Sequence, residues 1–148
     1  MRLVFTKGPG KVDRMDMIHA DGRAETIDCP KQRIIPHDMV HYAVESVLGA
    51  RGFIARVAAG EAAAFTMAGG RESDGVERLV EALQGDGWSG GTAPADEVLD
   101  LYRVTCEARD CAMLPVDAAA IDAIRARIAE LTEAWDAVPV GGAIKLTF

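Results

Sequence analysis

The sequence has no apolar run long enough to form a membrane-spanning helix, and it is short of positive charge. A transmembrane helix needs about 20 consecutive apolar residues, and no segment of this chain approaches that length. Only 16 lysines and arginines stand against 23 aspartates and glutamates, so the formal net charge is −7. Because nucleic-acid binding starts from a basic surface, the composition argues against both a membrane and a nucleic-acid partner.

Cysteine is also scarce. Cys29, Cys106 and Cys111 are odd in number and lack the close spacing of a metal-binding motif. This pattern is typical of reduced thiols in a reducing compartment. The apolar part of residues 1–8 stops too soon to be the core of a signal peptide. We therefore predict a cytoplasmic protein without disulfide bonds.

The remaining composition is that of an ordinary globular protein. The chain has 148 residues, of which 49% are hydrophobic and 26% are charged, close to the averages for soluble domains. This length suits one domain with a core that needs no disulfide or metal to hold it. With no internal repeat and no linker-like change in composition, residues 1–148 are predicted to form a single domain.

The first third of the sequence reads as β-strands. Apolar and polar residues alternate over residues 2–6, 12–19 and 23–27, with breaks at residues 8–10 and 21–22. Asp21-Gly22 favours a tight hairpin turn, because glycine adopts positive φ at little cost. The pattern predicts a three-stranded antiparallel meander. Residues 143–148 alternate again and are expected to join the first strand.

Helices are predicted between these two regions. Pro36 suits the first position of a helix over residues 36–48. A second helix begins at Phe53 and continues through the alanines as far as Phe65, with an interruption or end near Gly60. A short helix follows over residues 76–83, then a flexible glycine-rich loop over residues 85–91, then a helix over residues 94–109.

The last predicted helix has Asp117 as its N-cap. Apolar residues recur along it at alternating spacings of three and four, which indicates one buried face, and these are Ile121, Ile124, Ile128, Leu131 and Trp135. The same spacing suits a dimer seam, and an exposed terminal strand is a second route to a homo-oligomer. The order of strands, helices and a final strand predicts an α+β fold in which about four or five helices cover a small sheet.

Two of the three histidines lie four residues apart in the helix predicted over residues 36–48. At about 100° per residue, His37, His41, Asp38 and Glu45 fall in one sector at the edge of the apolar face. Histidines at positions i and i+4 can converge on one ion and are half of a zinc-peptidase motif. The peptidase motif has glutamate directly after its first histidine, and this chain has Asp38, so peptidase activity is not predicted.

Glu45 is too far along the helix to be a third ligand. The rise from His37 to Glu45 is about 12 Å, whereas zinc ligands lie roughly 2 Å from the ion. We expect Glu45 to orient His41 from behind, or to pair with an arginine. The candidates for a third ligand are His19, Asp21, Cys29, Cys106 and Cys111.

Three interpretations of this helix follow from the residues alone. The histidines are structural anchors in a non-catalytic module that binds a partner or copies of itself, or they bind a divalent metal, zinc by preference, with Asp38 or Glu45 assisting. The third interpretation is acid/base catalysis without a metal. The sequence does not decide whether the protein is an enzyme.

The chain resembles a family of small uncharacterised bacterial proteins. The resemblance is carried by residues 37–46, by residues 52–53 and 58–60, and by Trp135 followed by Pro139 and residues 141–142. It implies that the histidine helix and the C-terminal segment belong to one compact domain. Because the family has no established activity, it implies no substrate. Relatives usually have tryptophan where this chain has Ile54, which argues against a ligand-stacking aromatic there.

Overall fold

A computed structural model describes residues 1–63 and 69–148. Four strands form one antiparallel sheet in the order β3-β2-β1-β4: β1 (Arg2–Thr6), β2 (Val12–Ile18), β3 (Ala24–Pro30) and β4 (Ala143–Thr147). The described helices are α1 (His37–Leu48), α2 (Phe53–Ala58), α3 (Arg71–Trp88), α4 (Ala95–Ala108) and α5 (Ala118–Asp136). The predicted α+β fold, with an N-terminal meander and a C-terminal strand, is confirmed.

The sheet buries one face against the helices. Successive side chains of a strand point to opposite faces, and Leu3, Phe5, Met15 and Met17 all point inward and are fully buried. Phe5 lies opposite Met15 on β2 and opposite Ile144 on β4. The terminal strand therefore pairs with the first strand, as the sequence predicts. Burial of these side chains supplies the main driving force for packing the sheet.

Helix α1 lies at the centre of the helical layer. It packs against α3 and α5 as well as α2, and it buries Met39, Val40, Ala43 and Val44. Pro36 is the N-cap, with an extended ψ of 142°, so the helix begins one residue later than predicted. Gly49 ends it in the left-handed conformation, with φ of 62°, which glycine adopts readily.

Helix α5 begins where the sequence predicts. The Asp117 carboxylate accepts a hydrogen bond from the Ala120 N–H group at 2.8 Å, the contact expected of an N-cap. Four residues of the apolar stripe are buried in the core of the chain, namely Ile121, Ile124, Leu131 and Trp135. The fifth, Ile128, is partly exposed and packs against them. The stripe therefore packs within the chain and is not free to form a dimer seam.

Helix α3 is longer than predicted. It extends over Arg71–Trp88 rather than residues 76–83, so the prediction of a flexible loop is wrong for its first four residues. Each glycine in a helix interior costs about 1 kcal/mol relative to alanine. Packing offsets this cost, because Asp86 is held by Arg125 of α5 at 2.6 and 2.9 Å, and a Cβ on Gly87 would already touch Ile34 at 3.5 Å.

Smaller differences concern the other helices. Helix α4 spans Ala95–Ala108, one residue shorter at each end than predicted. Helix α2 ends at Ala58, before Gly60, whose φ is 102°; the part of the predicted helix at residues 64–65 lies outside the described residues. Cys29, Cys106 and Cys111 are free thiols. Within residues 1–63 and 69–148, none of the helices has the length and apolar character to cross a bilayer.

Candidate metal centre

Three side chains from two helices converge at one point. His41 Nε2 lies 3.1 Å from His37 Nε2 and 3.0 Å from Glu77 Oε2. His37 Nε2 lies 3.6 Å from the other carboxylate oxygen of Glu77. These donor atoms all lie within 4.8 Å of one another. We call His37, His41 and Glu77 the His/Glu cluster.

The backbone explains how the cluster forms. Side chains at positions i and i+4 of a helix lie one above the other, and the imidazole rings of His37 and His41 are 4.7 Å apart at their centroids, tilted by 69°. Glu77 reaches them because α3 packs alongside α1. The buried Val76 and Leu79 beside Glu77 fix the rotation of α3 and turn the carboxylate toward α1.

The three side chains of the His/Glu cluster differ in their exposure to solvent. The His41 side chain is only 3% exposed, whereas the side chains of His37 and Glu77 are each 36% exposed. An ion bound between them would contact the core on the His41 side and solvent on the other side. This arrangement leaves room for a further ligand that does not come from the cluster.

Glu45 holds the buried side of His41. Its Oε1 atom lies 3.2 Å from His41 Nδ1. The same carboxylate accepts the N–H groups of Ile54 at 3.1 Å and Ala55 at 2.8 Å, at the start of α2. A hydrogen bond to one ring nitrogen sets the role of the other, so Glu45 leaves Nε2 of His41 facing Glu77 and His37.

Glycine at position 52 makes this arrangement possible. A Cβ atom there would lie 2.6 Å from the Glu45 carboxylate and 2.6 Å from the Val76 side chain. Such distances are far shorter than van der Waals contact, so any larger residue would displace one or both. Gly52 therefore admits the carboxylate to the space between α1, α2 and α3.

The ionisation of the cluster follows from these contacts. Burial by itself lowers the pKa of His41, but the hydrogen bonds to Glu45 and Glu77 outweigh it and raise the pKa to about 10. Burial likewise favours the neutral form of Glu77, yet the hydrogen bond and charge of His41 lower its pKa to about 2. Without a metal, the folded protein therefore holds an imidazolium between two carboxylates.

The spacing of the donor atoms fits a small divalent ion. Two ligands at 2.0–2.1 Å from zinc, separated by a tetrahedral angle, lie about 3.3 Å apart. His41 Nε2 lies 3.1 Å from His37 Nε2 and 3.0 Å from Glu77 Oε2, both close to this spacing. With one ligand atom taken from each residue, the three atoms lie within 4.8 Å of one another, so the partly exposed side chains of His37 and Glu77 would move toward the ion as a proton leaves His41.

The cluster opens into a cleft of about 650 Å³. Its described lining comes from the end of β3, the first turn of α1, the start of α2 and one side of α3. Among the polar and aromatic residues that face it are Gln32, Asp38, Arg56, Asp74, Gln84 and Trp88. The volume is within the range typical of small-molecule sites.

The candidates for a third ligand lie elsewhere. Among the described residues, only Glu77 joins His37 and His41 in a group that could hold a metal. That group does not include His19, Asp21, Cys29, Cys106 or Cys111. His19 lies 3.2 Å from Glu25, and the exposed Asp21 is paired with Arg23. The Cys29 thiol donates to Asp38 at 3.4 Å. Cys106 lies in the last turn of α4, and Cys111 lies in the segment after that helix.

Asp38 is buried and lies on the cleft, but it is not one of the converging donors. Its carboxylate accepts the thiol hydrogen of Cys29, which links β3 to the first turn of α1.

Comparison with protein-family models, with curated proteins and with solved structures found no match for this chain. The family resemblance seen in the sequence therefore stays a prediction, and the function is argued from the geometry.

Proposed function

We propose that the protein binds one divalent metal ion, zinc by preference, through His37, His41 and Glu77. The observation that supports the proposal is the convergence of three ligand atoms from α1 and α3 within 4.8 Å, on the wall of a cleft. Imidazole nitrogen and carboxylate oxygen are both normal zinc ligands. Glu45 would orient His41 from behind, as carboxylates commonly do for metal-bound histidines.

The ligand set is of the kind that zinc enzymes use. Structural zinc sites are closed by four protein ligands, whereas catalytic sites have three and keep a position open for water or substrate. Here the cluster offers three ligands, and its exposed side faces the cleft. A zinc ion bound there would polarise a ligand in the cleft or lower the pKa of a bound water molecule.

The position of His37 favours metal binding over a purely structural role. An anchor between α1 and α3 needs only the ion pair between His41 and Glu77, at 3.0 Å. His37 adds a half-exposed imidazole whose Nε2 points at Nε2 of His41 from 3.1 Å. Two imidazoles meet nitrogen to nitrogen when they share one proton or one metal ion. This contact between His37 and His41 is not required to hold α1 and α3 together.

Metal analysis of protein purified without a histidine tag tests the proposal. We expect about one equivalent of zinc after loading and dialysis. Replacing a direct ligand, in His41→Ala or Glu77→Gln, should weaken zinc binding by more than the roughly 10 to 100-fold that loss of an outer partner costs. Matched controls are His19→Ala, which removes another carboxylate-paired histidine, and Glu81→Gln, one turn further along α3.

The alternative interpretation, in which the two histidines are only structural anchors, predicts a different result. If the wild-type protein stays metal-free after zinc loading, and His41→Ala only lowers its free energy of unfolding, the cluster is an anchor and the proposal fails. Zinc binding that Glu77→Gln leaves unchanged would also contradict it. Homo-oligomer formation through the exposed edge of β4 is a separate prediction, which a measurement of mass in solution tests.

A further inference from the structure

We propose that the cleft binds a neutral peptide segment in extended conformation, paired with the outer edge of β3 and with one backbone carbonyl oxygen at the metal. This inference rests on the proposed metal site and names the class of ligand that the site receives. It depends on three features of the described residues: an unpaired strand edge beside the cluster, an elongated cleft, and a balance of charge that disfavours anions.

The second edge of β3 has no strand paired with it in the described part of the chain. β3 is the first strand in the sheet order, and within residues 1–63 and 69–148 it pairs with β2 alone. The flanking backbone bonds from His19 to Arg23 and from Lys31 to Lys11 show that the odd-numbered residues point their N–H and C=O groups toward β2. The outward groups belong to Ala24, Thr26, Asp28 and Pro30, and within residues 1–63 and 69–148 they have no backbone partner.

Proline at position 30 is consistent with this assignment. Proline has no N–H group, so it occurs in sheets where that group would not take part in pairing. Pro30 is the last residue of β3, and its nitrogen is on the outward side. The two N–H donors nearest to it on that side are those of Asp28 and Thr26. A peptide added to an exposed edge of this kind gains its affinity from main-chain hydrogen bonds.

The free edge borders the cleft and the cluster. Ile27, Asp28 and Pro30 all line the cleft. Cys29, whose side chain is buried on the face of β3 that packs on the helices, is joined to the first turn of α1 through its hydrogen bond to Asp38. The outward groups of Asp28 and Pro30, at the C-terminal end of β3, are thus held beside the helical turn that carries the first histidine of the cluster.

Helix α3 forms the opposite wall and gives the cleft its length. Glu77, Gln84 and Trp88 of α3 all line the cleft. Trp88 comes 11 residues after Glu77 along α3, a rise of about 16 Å, which is the length of about five residues of extended chain. The indole N–H of Trp88 donates to the Gln32 carbonyl at 2.8 Å. Since 56% of Trp88 is exposed, its ring offers an apolar surface for a peptide side chain.

The charges in the cleft disfavour an anionic ligand. Besides Glu77, the described lining includes the side chains of Asp28, Asp38 and Asp74. Lys31 and Arg56 also line the cleft, but Lys31 is paired with Asp13 at 3.4 Å and Arg56 with Glu61 at 2.6 Å. The described lining thus offers no unpaired lysine or arginine to a phosphate or a carboxylate. A peptide carbonyl is an uncharged oxygen donor and meets this requirement.

The inference is tested on the zinc-loaded full-length protein with acetyl-Ala-Ala-Ala-hydroxamate, whose hydroxamate binds the metal. Acetohydroxamate has the same metal-binding group without the peptide. We expect the tripeptide to bind at least about tenfold more tightly, the effect of one or two added backbone hydrogen bonds. We also expect it to slow amide hydrogen exchange at Thr26 and Asp28. A version with N-methylated amides should lose the whole advantage.

A pair of variants tests the strand edge itself. Thr26→Pro removes one outward N–H of β3, and Lys145→Pro removes the corresponding group from β4, the other edge of the sheet. Only Thr26→Pro should lower the affinity for the tripeptide, by about tenfold, with zinc binding unchanged. The methylated peptide gives the same test without any change to the protein.

The outcomes separate this inference from the metal site. Equal affinity for acetohydroxamate and the tripeptide, or equal binding of the methylated tripeptide, would overturn peptide pairing while zinc binding still stood. Unchanged exchange at Thr26 and Asp28 in the complex would do the same. A protein that binds no zinc would overturn both proposals, and the metal analysis reports that result independently of any peptide.

Discussion

His41 Nδ1 lies 3.2 Å from the carboxylate of Glu45, one helical turn further along α1. That carboxylate also accepts two backbone N–H groups, from Ile54 and Ala55. It is therefore held by α2 independently of the histidine and is almost fully buried. The ring of His41 is oriented by a fixed acceptor, with its other nitrogen directed toward Glu77.

This relationship predicts the effect of Glu45→Gln. Glutamine keeps the shape of the side chain and one acceptor oxygen for α2, but it removes the charge behind His41. Zinc affinity should fall by about 10 to 100-fold, the usual cost of losing an outer partner, with the fold retained. Competition with a chelating dye measures the affinity. The exposed Glu133→Gln on α5 is the control, and an equal change in both variants would refute the role of Glu45.

The stability of the metal-free protein should depend on pH through His41 and Glu77. The pKa of His41 is raised from 6.5 to about 10, so its contribution is complete below pH 6.5 and is lost as the pH rises toward 10. The pKa of Glu77 is lowered from 4.5 to about 2, so its contribution is lost as the pH falls from 4.5 toward 2. One ion pair produces both shifts, and the two effects are not additive.

We therefore consider the contribution of the His/Glu cluster to the free energy of unfolding, measured in the presence of EDTA. We expect this contribution to be greatest between about pH 4.5 and 6.5. From pH 6.5 to 10 this contribution should decline by up to about 1.4 kcal/mol per pH unit. Urea titrations of the wild type and of His41→Gln measure it, because the difference between them removes the contribution of other titrating groups. A difference that does not vary with pH would contradict the assignment.

Zinc binding should release protons. A metal ligand must be unprotonated, and His41 is an imidazolium at neutral pH when its pKa is near 10. About one proton should leave for each zinc bound near pH 7, and affinity should rise with pH. Calorimetry in two buffers of different ionisation enthalpy gives the number of protons directly. No release would mean that zinc binds without displacing the proton of His41.

Part of this site was predictable from sequence because it is local. The spacing of His37 and His41 fixes their position on one helix face, and it places Glu45 behind rather than beside the ion. Glu77 was not predictable, since it comes from α3, 36 residues after His41. Glu72, Glu77 and Glu81 are equivalent acids in the sequence of that helix, and only its packing against α1 selects one of them.

The end of α3 shows the same limit. Gly85 and Gly87 indicate a loop by their intrinsic preference, yet they lie in the last turn of the helix. The long-range ion pair between Asp86 and Arg125 of α5 holds that turn. As a result, Trp88 is fixed at the cleft instead of lying on a flexible segment. Contacts between distant parts of the chain outweigh local propensity here, and a single sequence does not reveal them.

Gly52→Ala tests whether the space beside Glu45 matters. The added methyl group would lie 2.6 Å from both the Glu45 carboxylate and Val76, so the carboxylate or α3 must move. Overpacking of this kind typically costs 1–3 kcal/mol, and displacement of Glu45 should also weaken zinc binding. Gly10→Ala is the matched control, because a Cβ there meets no atom within 4 Å. Urea unfolding and zinc competition measure the two effects. A Gly52→Ala protein that matches the control in both would show that Glu45 has room to move without loss.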